Sequence, residues 1–240
     1  LVSVSVAPIL LSVTPAAAVE VARPMSLWAL FRGSPLGTVG IFLLGGVYAT
    51  QSGMAAVFGS QIGMSAGEIA LFVAMLFAGA LVFQYPIGWL SDRFDRRKVI
   101  MGTAVMGAMA CGAGWVAGGD VPGLDGLGLW PLMGAALLAG GMTTPLYALL
   151  LAYTNDFLPN EDMPAASGGL IFIFGLGAIF GPLVVGSAME TGGPQAFWLV
   201  LGASFAAMAG YAAYRMTRRQ SIVTAEETYS YLGVLPTATV

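Results

Sequence analysis

The chain has 240 residues, of which 58% are hydrophobic and 9% are charged, with a formal net charge of −3. Soluble globular domains carry roughly 25% charged residues, so a soluble fold of this composition could not cover its own surface. The absence of histidine removes the usual general base and the commonest metal ligand. The single cysteine excludes an internal disulfide and a multi-cysteine zinc site. We therefore expect an all-α integral membrane protein with no cofactor, no metal and no nucleic-acid partner.

Six apolar stretches follow one another along the chain, and each is long enough to cross about 30 Å of hydrocarbon as a helix. Alternation with a period of two residues, which membrane β-strands show, is absent. None of the stretches contains a Lys, Arg, Asp or Glu. The predicted spans are residues 36–58, 69–90, 99–117, 129–153, 167–189 and 196–214.

Two connectors contain helix-capping signals. Ser34 precedes Pro35, which predicts an N-cap followed by proline at the first helical position. Ser65 lies three residues before Glu68, the spacing of a capping box, directly before the second span.

The ends of the chain differ from the spans. Residues 1–13 are apolar but too short to cross a bilayer, and they lack the basic front region of a signal peptide. We interpret them as the end of a truncated preceding membrane helix, with residues 14–33 as a cytoplasmic linker. Residues 34–219 form the predicted six-helix domain, and residues 220–240 form a cytoplasmic tail.

The basic residues predict the orientation in the membrane. With six crossings, all nine Lys and Arg residues fall on one side. The positive-inside rule makes that side the cytoplasm, so both ends of the chain are predicted to be cytoplasmic, in the cell membrane. The nine basic residues are Arg23, Arg32, Arg93, Arg96, Arg97, Lys98, Arg215, Arg218 and Arg219.

The loop between the second and third spans has a distinctive order, from Gly88 to Lys98. A helix ends, a carboxylate that can cap the next helix follows at Asp92, and a basic cluster completes a short turn. Without further information, this loop could be a positive-inside anchor only. Its order resembles the signature loop of the major facilitator superfamily, although Asp95 stands where the family pattern has glycine. The matching residues are Gly88, Leu90, Asp92, Arg93, Arg96 and Arg97.

This resemblance implies the C-terminal half of such a transporter, namely the end of helix six and helices seven to twelve. It implies two inverted three-helix repeats, a partner in the N-terminal six-helix half of the same protein, and a loop that locks the cytoplasmic side. The fifth span is similar to the glycine-rich helix eleven of drug and sugar efflux members. Its glycines are interpreted as helix-packing residues: Gly175, Gly177 and Gly181.

The resemblance further implies that the first and fourth spans line a substrate cavity near the bilayer midplane. Polar residues agree with this assignment, because they cluster near the middle of these two spans, whereas the third and sixth spans have almost none there. In an alternative interpretation, these hydroxyls bond only to the backbone or to neighbouring helices. The candidate cavity residues are Tyr48, Gln51, Ser52, Thr143, Thr144 and Tyr147. Gln84 and Tyr85 lie nearer the cytoplasmic end of their span and are candidates for a gate.

These patterns predict a secondary transporter, or a facilitator, that moves a small solute by alternating access. The spans contain no carboxylate, so a coupling acid is expected in the other half, or the carrier is a uniporter. Two alternatives remain. One is a membrane scaffold or receptor on the same fold. The other is an intramembrane serine protease, because residues 63–67 match G-x-S-x-G around Ser65, although the chain lacks a histidine to act as base. The cavity residues suit a sugar and a neutral drug-like molecule equally well.

Overall fold

The structure is a computed structural model that describes residues 25–119 and 128–218. The predicted membrane stump, 1–13, and the tail, 220–240, lie outside these residues. Every regular element in the described ranges is helical. In chain order the helices are α1 (Leu27–Gly33), α2 (Pro35–Gly53), α3 (Ala55–Gln61), α4 (Ala66–Ser91), α5 (Arg96–Ala117), α6 (Trp130–Asn155), a 3-10 turn (Asn160–Asp162), α7 (Met163–Gly192) and α8 (Ala196–Arg218).

Five helices, α4 to α8, are each long and apolar enough to cross a membrane. A sixth crossing results when α1 and α2 are counted as one bent span, although their axes meet at 114°. The first predicted span is not continuous, because α2 ends at Gly53 and α3 starts at Ala55, with Met54 between them. Part of the predicted linker, Leu27–Gly33, is also helical.

The residues before α4 and α2 explain where these two helices start. The predicted capping box at α4 is confirmed: the Ser65 amide donates to Glu68 Oε2 at 2.8 Å, and Ser65 Oγ accepts from the Glu68 amide at 3.4 Å. At α2, Pro35 occupies the first turn as predicted, but the Ser34 hydroxyl makes no cap and instead donates to Thr154 Oγ1 at 3.2 Å.

The prediction that Asp92 caps the third span is wrong. Asp95 caps α5, accepting from the Arg97 amide at 3.0 Å, while Asp92 lies at the C-terminal end of α4. The backbone at Asp95 has a φ of −52°, a value that any residue adopts. The turn therefore does not need the glycine of the family pattern, and the aspartate placed there contributes a cap.

The long helices pack in pairs, and each pair takes one helix from the first three spans and one from the last three. The first span, α2, lies along the fifth, α7, and the second, α4, lies along the fourth, α6; the third and sixth, α5 and α8, pack on each other. Exchanging the first span with the fourth, the second with the fifth and the third with the sixth gives the same three pairs. This symmetry is the one expected of two inverted three-helix repeats.

Glycines allow the backbones of both pairs to touch. A Cβ at Gly177 of α7 would overlap the Phe42 carbonyl of α2, and one at Gly181 would overlap the backbone of Gly46. On the other pair, a Cβ at Gly79 of α4 would overlap the Leu137 carbonyl of α6. Such close approach is the usual role of small residues between membrane helices.

The interpretation of Gly175 as a packing residue is not supported by its surroundings. A Cβ built at Gly175 meets no atom within 4 Å. The reason is helical geometry: Gly177 and Gly181 are four residues apart and face α2, whereas Gly175 points about 200° away from Gly177 around the helix.

An aromatic cluster holds the short helix α3 against the rest of the unit. Phe58 of α3 stacks on Phe197 with ring centroids 5.0 Å apart and meets the edge of Trp198 at 5.9 Å. Phe72 of α4 completes the cluster, 5.7 Å from Phe58. All four side chains are fully buried.

Candidate functional site

A cavity of about 280 Å³ lies between the first and fourth spans. Its wall contains four of the six predicted cavity residues together with two apolar side chains. The lining residues are Leu44, Tyr48, Thr143, Thr144, Tyr147 and Phe174.

A second cavity of only about 10 Å³, which has room for about one water molecule, shares Tyr48 and Thr144 with the first. It contains the other two predicted residues, Gln51 and Ser52, and its far wall is formed by α4. All six predicted residues therefore line one or both of two adjoining cavities, and neither α5 nor α8 contributes to them. Their role as substrate ligands stays a prediction.

The two cavity-forming helices are joined by a buried hydrogen bond. Thr143 Oγ1 of α6 donates to Gln51 Oε1 of α2 at 2.9 Å. Only 6% of Gln51 is exposed, and its Nε2 has no hydrogen-bond partner among the described residues. A buried amide group without a partner is costly, so Gln51 is the most unusual polar residue of this site.

Two hydroxyls behave as the alternative interpretation expects. Ser52 Oγ donates to the Tyr48 carbonyl at 2.9 Å, and Thr143 Oγ1 lies 3.0 Å from the Ala139 carbonyl. Both carbonyls belong to the preceding helical turn, to which serine and threonine commonly donate. The single proton of Thr143 goes either to the Ala139 carbonyl or to Gln51 Oε1. These hydroxyl protons are therefore engaged within the protein.

Sequence reasoning missed Phe174 of α7. Its ring lies between the two cavity tyrosines, with ring centroids 5.8 Å from Tyr48 and 5.4 Å from Tyr147. An aromatic residue inside an apolar span carries no signal that separates it from core or lipid-facing positions. Only its contacts identify it as part of the wall.

The loop after the second span, Gly88 to Lys98, forms a salt bridge through Arg96. Arg96 Nη1 and Asp156 Oδ2 are 2.5 Å apart, and Arg96 Nε donates to Ser91 Oγ at 3.3 Å. This bridge connects the loop after the second span with the loop after the fourth. Sequence reasoning did not name Asp156 as a partner, although its position on the same side as Arg96 was the available signal.

The other residues of the loop motif have different contacts. The Arg93 guanidinium stacks on Trp89, 3.8 Å from the ring centroid. Arg97 is 4% exposed and lies 5.8 Å from the ring centroid of Tyr153. Asp92, Gly88 and Leu90 are exposed. The motif thus supplies a salt bridge through Arg96, the buried side chain of Arg97 and a turn at the surface.

The remaining polar candidates lie outside the cavities. Gln84 and Tyr85 are exposed on α4, with 77% of Tyr85 accessible, and neither lines either cavity. Within residues 25–119 and 128–218, no group of three His, Cys, Asp or Glu residues is placed to hold a metal ion.

Helices of membrane-crossing length, an exchange symmetry between two sets of three spans, and cavities between the first and fourth spans are typical of multi-pass membrane transporters. The sequence profile of the Major Facilitator Superfamily matches residues 9–230. The chain belongs to this family, whose members are membrane transporters for small molecules.

Curated relatives agree with the family but are themselves uncharacterized. The chain is 29% identical over 135 residues to the MFS-type transporter YfkF of Bacillus subtilis, covering 56% of this chain and 32% of that protein. It is 23% identical over 166 residues to an MFS-type transporter of Enterobacter sp. strain 638, covering 68% and 40%. A Yersinia pestis MFS-type transporter is 22% identical over 172 residues, covering 70% and 41%. The chain thus spans about a third to two fifths of the length of these relatives. No solved structure matches it.

Proposed function

We propose that this chain is the C-terminal six-helix half of a secondary transporter that moves a small solute by alternating access. The observation that supports this most is the pair of cavities between α2 and α6, which gathers polar residues from two distant parts of the sequence. A buried amide with an unpaired N–H, that of Gln51, borders the smaller cavity, and such polar groups in membrane spans commonly mark a substrate path.

The N-terminal half of the same protein is the proposed partner. Among the five long helices, α4 and α7 are the least buried. Their exposed side chains are large and apolar, including Leu81 and Val82 on α4 and Phe180 and Leu183 on α7. A second six-helix unit packed against these faces would close the cavities from the open side. The length of the relatives leaves room for such a unit.

The bridge between Arg96 and Asp156 is the proposed cytoplasmic lock. It joins two loops at one end of the unit, and both side chains are partly exposed, at 27% and 44%. An exposed ion pair is worth only about 0.2–1 kcal/mol, so it can break and re-form during each transport cycle. The side that contains this bridge is proposed to face the cytoplasm of the cell, with both ends of the chain on the same side.

Coupling to a proton is proposed to depend on the other half. The predicted spans contain no acidic residue, and a coupled carrier commonly uses an intramembrane acid. Either the N-terminal half supplies that acid or the carrier is a facilitator. Transport by the full-length protein that depends on an imposed pH gradient identifies the first case.

Alternating access is tested by cysteine labelling from each side of the membrane. Cysteines replacing Gln51 or Tyr147 should react with membrane-impermeant thiol reagents from either side, and substrate should change the ratio. The natural Cys111 is only 1% exposed and gives little background. Accessibility that stays the same from both sides under all conditions would favour the scaffold or receptor alternative.

The protease alternative has no support in the site. The Ser65 hydroxyl lies 2.7 Å from Glu68 Oε2 as part of the capping box. This capping role accounts for the serine without a catalytic one.

A further inference from the structure

We infer that the transported molecule is uncharged and largely apolar, contains a ring, and presents a hydrogen-bond acceptor that Gln51 recognises. This inference rests on the proposed function and names the substrate class of the same site. The sequence alone left a sugar and a neutral drug-like molecule equally plausible, and the geometry of the cavities separates them.

Charge is the first criterion. The residues that line the two cavities include no Lys, Arg, Asp or Glu. An ion that enters such a site loses its hydration without gaining a counter-charge, which is costly in a medium of low polarity. The part of the site formed by this chain therefore favours an uncharged molecule.

The supply of hydrogen-bond donors is the second criterion. A sugar presents several hydroxyl groups, and each needs a partner when it leaves water. Of the five hydroxyl-bearing side chains that line the two cavities, Ser52 and Thr143 already direct their protons to acceptors within the protein. The ring of Phe174 occupies the space between the two tyrosines. Such a wall offers stacking surface for a ring. It leaves three hydroxyls, those of Tyr48, Thr144 and Tyr147, without a bond among the described residues, fewer than a sugar with many hydroxyl groups requires.

The Gln51 amide supplies the specific contact in either of its two orientations, which differ by exchanging Oε1 and Nε2. If Thr143 donates to Gln51 Oε1, both Nε2 hydrogens lack a partner. If the amide is reversed, Nε2 donates one hydrogen to Thr143 Oγ1, while the Thr143 proton goes to the Ala139 carbonyl 3.0 Å away. At least one N–H then remains without an acceptor, because the amide has two such hydrogens. A carbonyl or ether oxygen on the substrate would complete this group.

Two ring compounds that differ in one group test the inference on the unaltered full-length protein. Xanthone is a planar neutral ketone, and xanthene has the same rings with a methylene in place of the carbonyl. Binding is measured as a rise in the unfolding temperature with ligand concentration, using a thiol-reactive dye that labels buried Cys111 only after unfolding. Xanthone should bind about fivefold more tightly than xanthene, which corresponds to about 1 kcal/mol for one hydrogen bond. Sucrose should produce no shift.

Substitutions at Gln51 and Phe174 test whether these two residues determine the binding of the ring compounds. Gln51→Leu should weaken xanthone about fivefold and leave xanthene unchanged, because Thr143 keeps the Ala139 carbonyl as acceptor and no new unpaired group is created. Phe174→Ala should weaken both ring compounds. Gln61→Leu, the same change at an exposed position at the end of α3, should change neither. The unfolding temperature without ligand shows whether each variant folds. If a variant does not fold, the comparison of xanthone with xanthene on the unaltered protein still tests the inference.

Several results would overturn the inference: equal binding of the two ring compounds, no binding of either, or a shift with sucrose. If any of these occurs while cysteines at positions 51 and 147 still show alternating access, the substrate class is wrong and the transporter proposal stands. Constant accessibility of both positions instead removes the transporter proposal itself.

Discussion

Gly177 and Gly175 lie two residues apart on α7 and provide a matched test of how the helices are held together. A Cβ at Gly177 would overlap the Phe42 carbonyl oxygen and lie 2.9 Å from the carbonyl carbon and 3.1 Å from the Gly46 nitrogen. These atoms belong to the backbone of α2, so they can move only if the two helices separate. A Cβ at Gly175 meets open space.

The expected difference between Gly177→Ala and Gly175→Ala isolates the packing cost. Both substitutions gain the same helix propensity, about 1 kcal/mol. Overpacking typically costs about 1–3 kcal/mol, so Gly177→Ala should be less stable than Gly175→Ala by that amount. For 150–250 residues that unfold together, 1 kcal/mol corresponds to about 2–4 °C in the unfolding temperature, and a longer protein that unfolds as one unit shows a smaller shift.

The assay is thermal unfolding of the full-length protein in detergent, followed by labelling of Cys111, which is 1% exposed in the folded protein. Gly177→Ala should unfold several degrees below Gly175→Ala. Equal unfolding temperatures would show that α2 and α7 are not in backbone contact, and the packing described here would be refuted.

Three further outcomes follow from the contacts. Gly79→Ala should lower stability by about 1–3 kcal/mol in the same thermal assay, because its Cβ would overlap the Leu137 carbonyl; an unchanged unfolding temperature would contradict the contact between α4 and α6. Arg96→Ala should change stability by less than about 1 kcal/mol but lower the transport rate more than the substrate affinity, and adding Asp156→Ala should cause little further loss; independent effects of the two changes would argue against the lock. Ser65→Ala should cost about 1 kcal/mol of stability and leave the relative transport rates of different solutes unchanged, so altered specificity would show that this serine does more than cap α4.

The membrane-crossing helices were largely predictable from the sequence, because hydropathy and capping act locally. The third predicted span, 99–117, corresponds to Arg96–Ala117, and the sixth, 196–214, to Ala196–Arg218. The extra residues are charged or polar ends that a hydropathy pattern cannot include, since they lie beyond the apolar run. The capping box of Ser65 was also predictable, because both partners are three residues apart.

The interruption of the first span could not be predicted in the same way. The sequence stays apolar on both sides of Met54, and the short helix that follows is held by aromatic contacts with α4 and α8. Those partners are distant in sequence. The same limit applies to Asp95, whose capping role is decided by where α5 begins rather than by the family pattern.

The candidate site was likewise predictable only in part: the polar residues were visible in the sequence, but their contacts across helices were not. Spacing on one helix face predicted that Gln51 and Ser52 belong together with Tyr48, and polarity alone selected Thr143. The bond between Gln51 and Thr143 spans 92 residues of sequence and depends on how α2 and α6 pack. Phe174 required the packing of a third helix, α7.

The pairing of α2 with α7 and of α4 with α6 determines how the six spans can move relative to one another. Each trio of consecutive spans is incomplete by itself, since its long contacts are made with members of the other trio. Pulling the trios apart would remove the close backbone contacts at Gly177, Gly181 and Gly79, and such van der Waals packing is what holds helices together in a bilayer. The six helices are therefore expected to move as one unit, so that the proposed alternating access would change the contacts at the outer faces of this unit and in its loops.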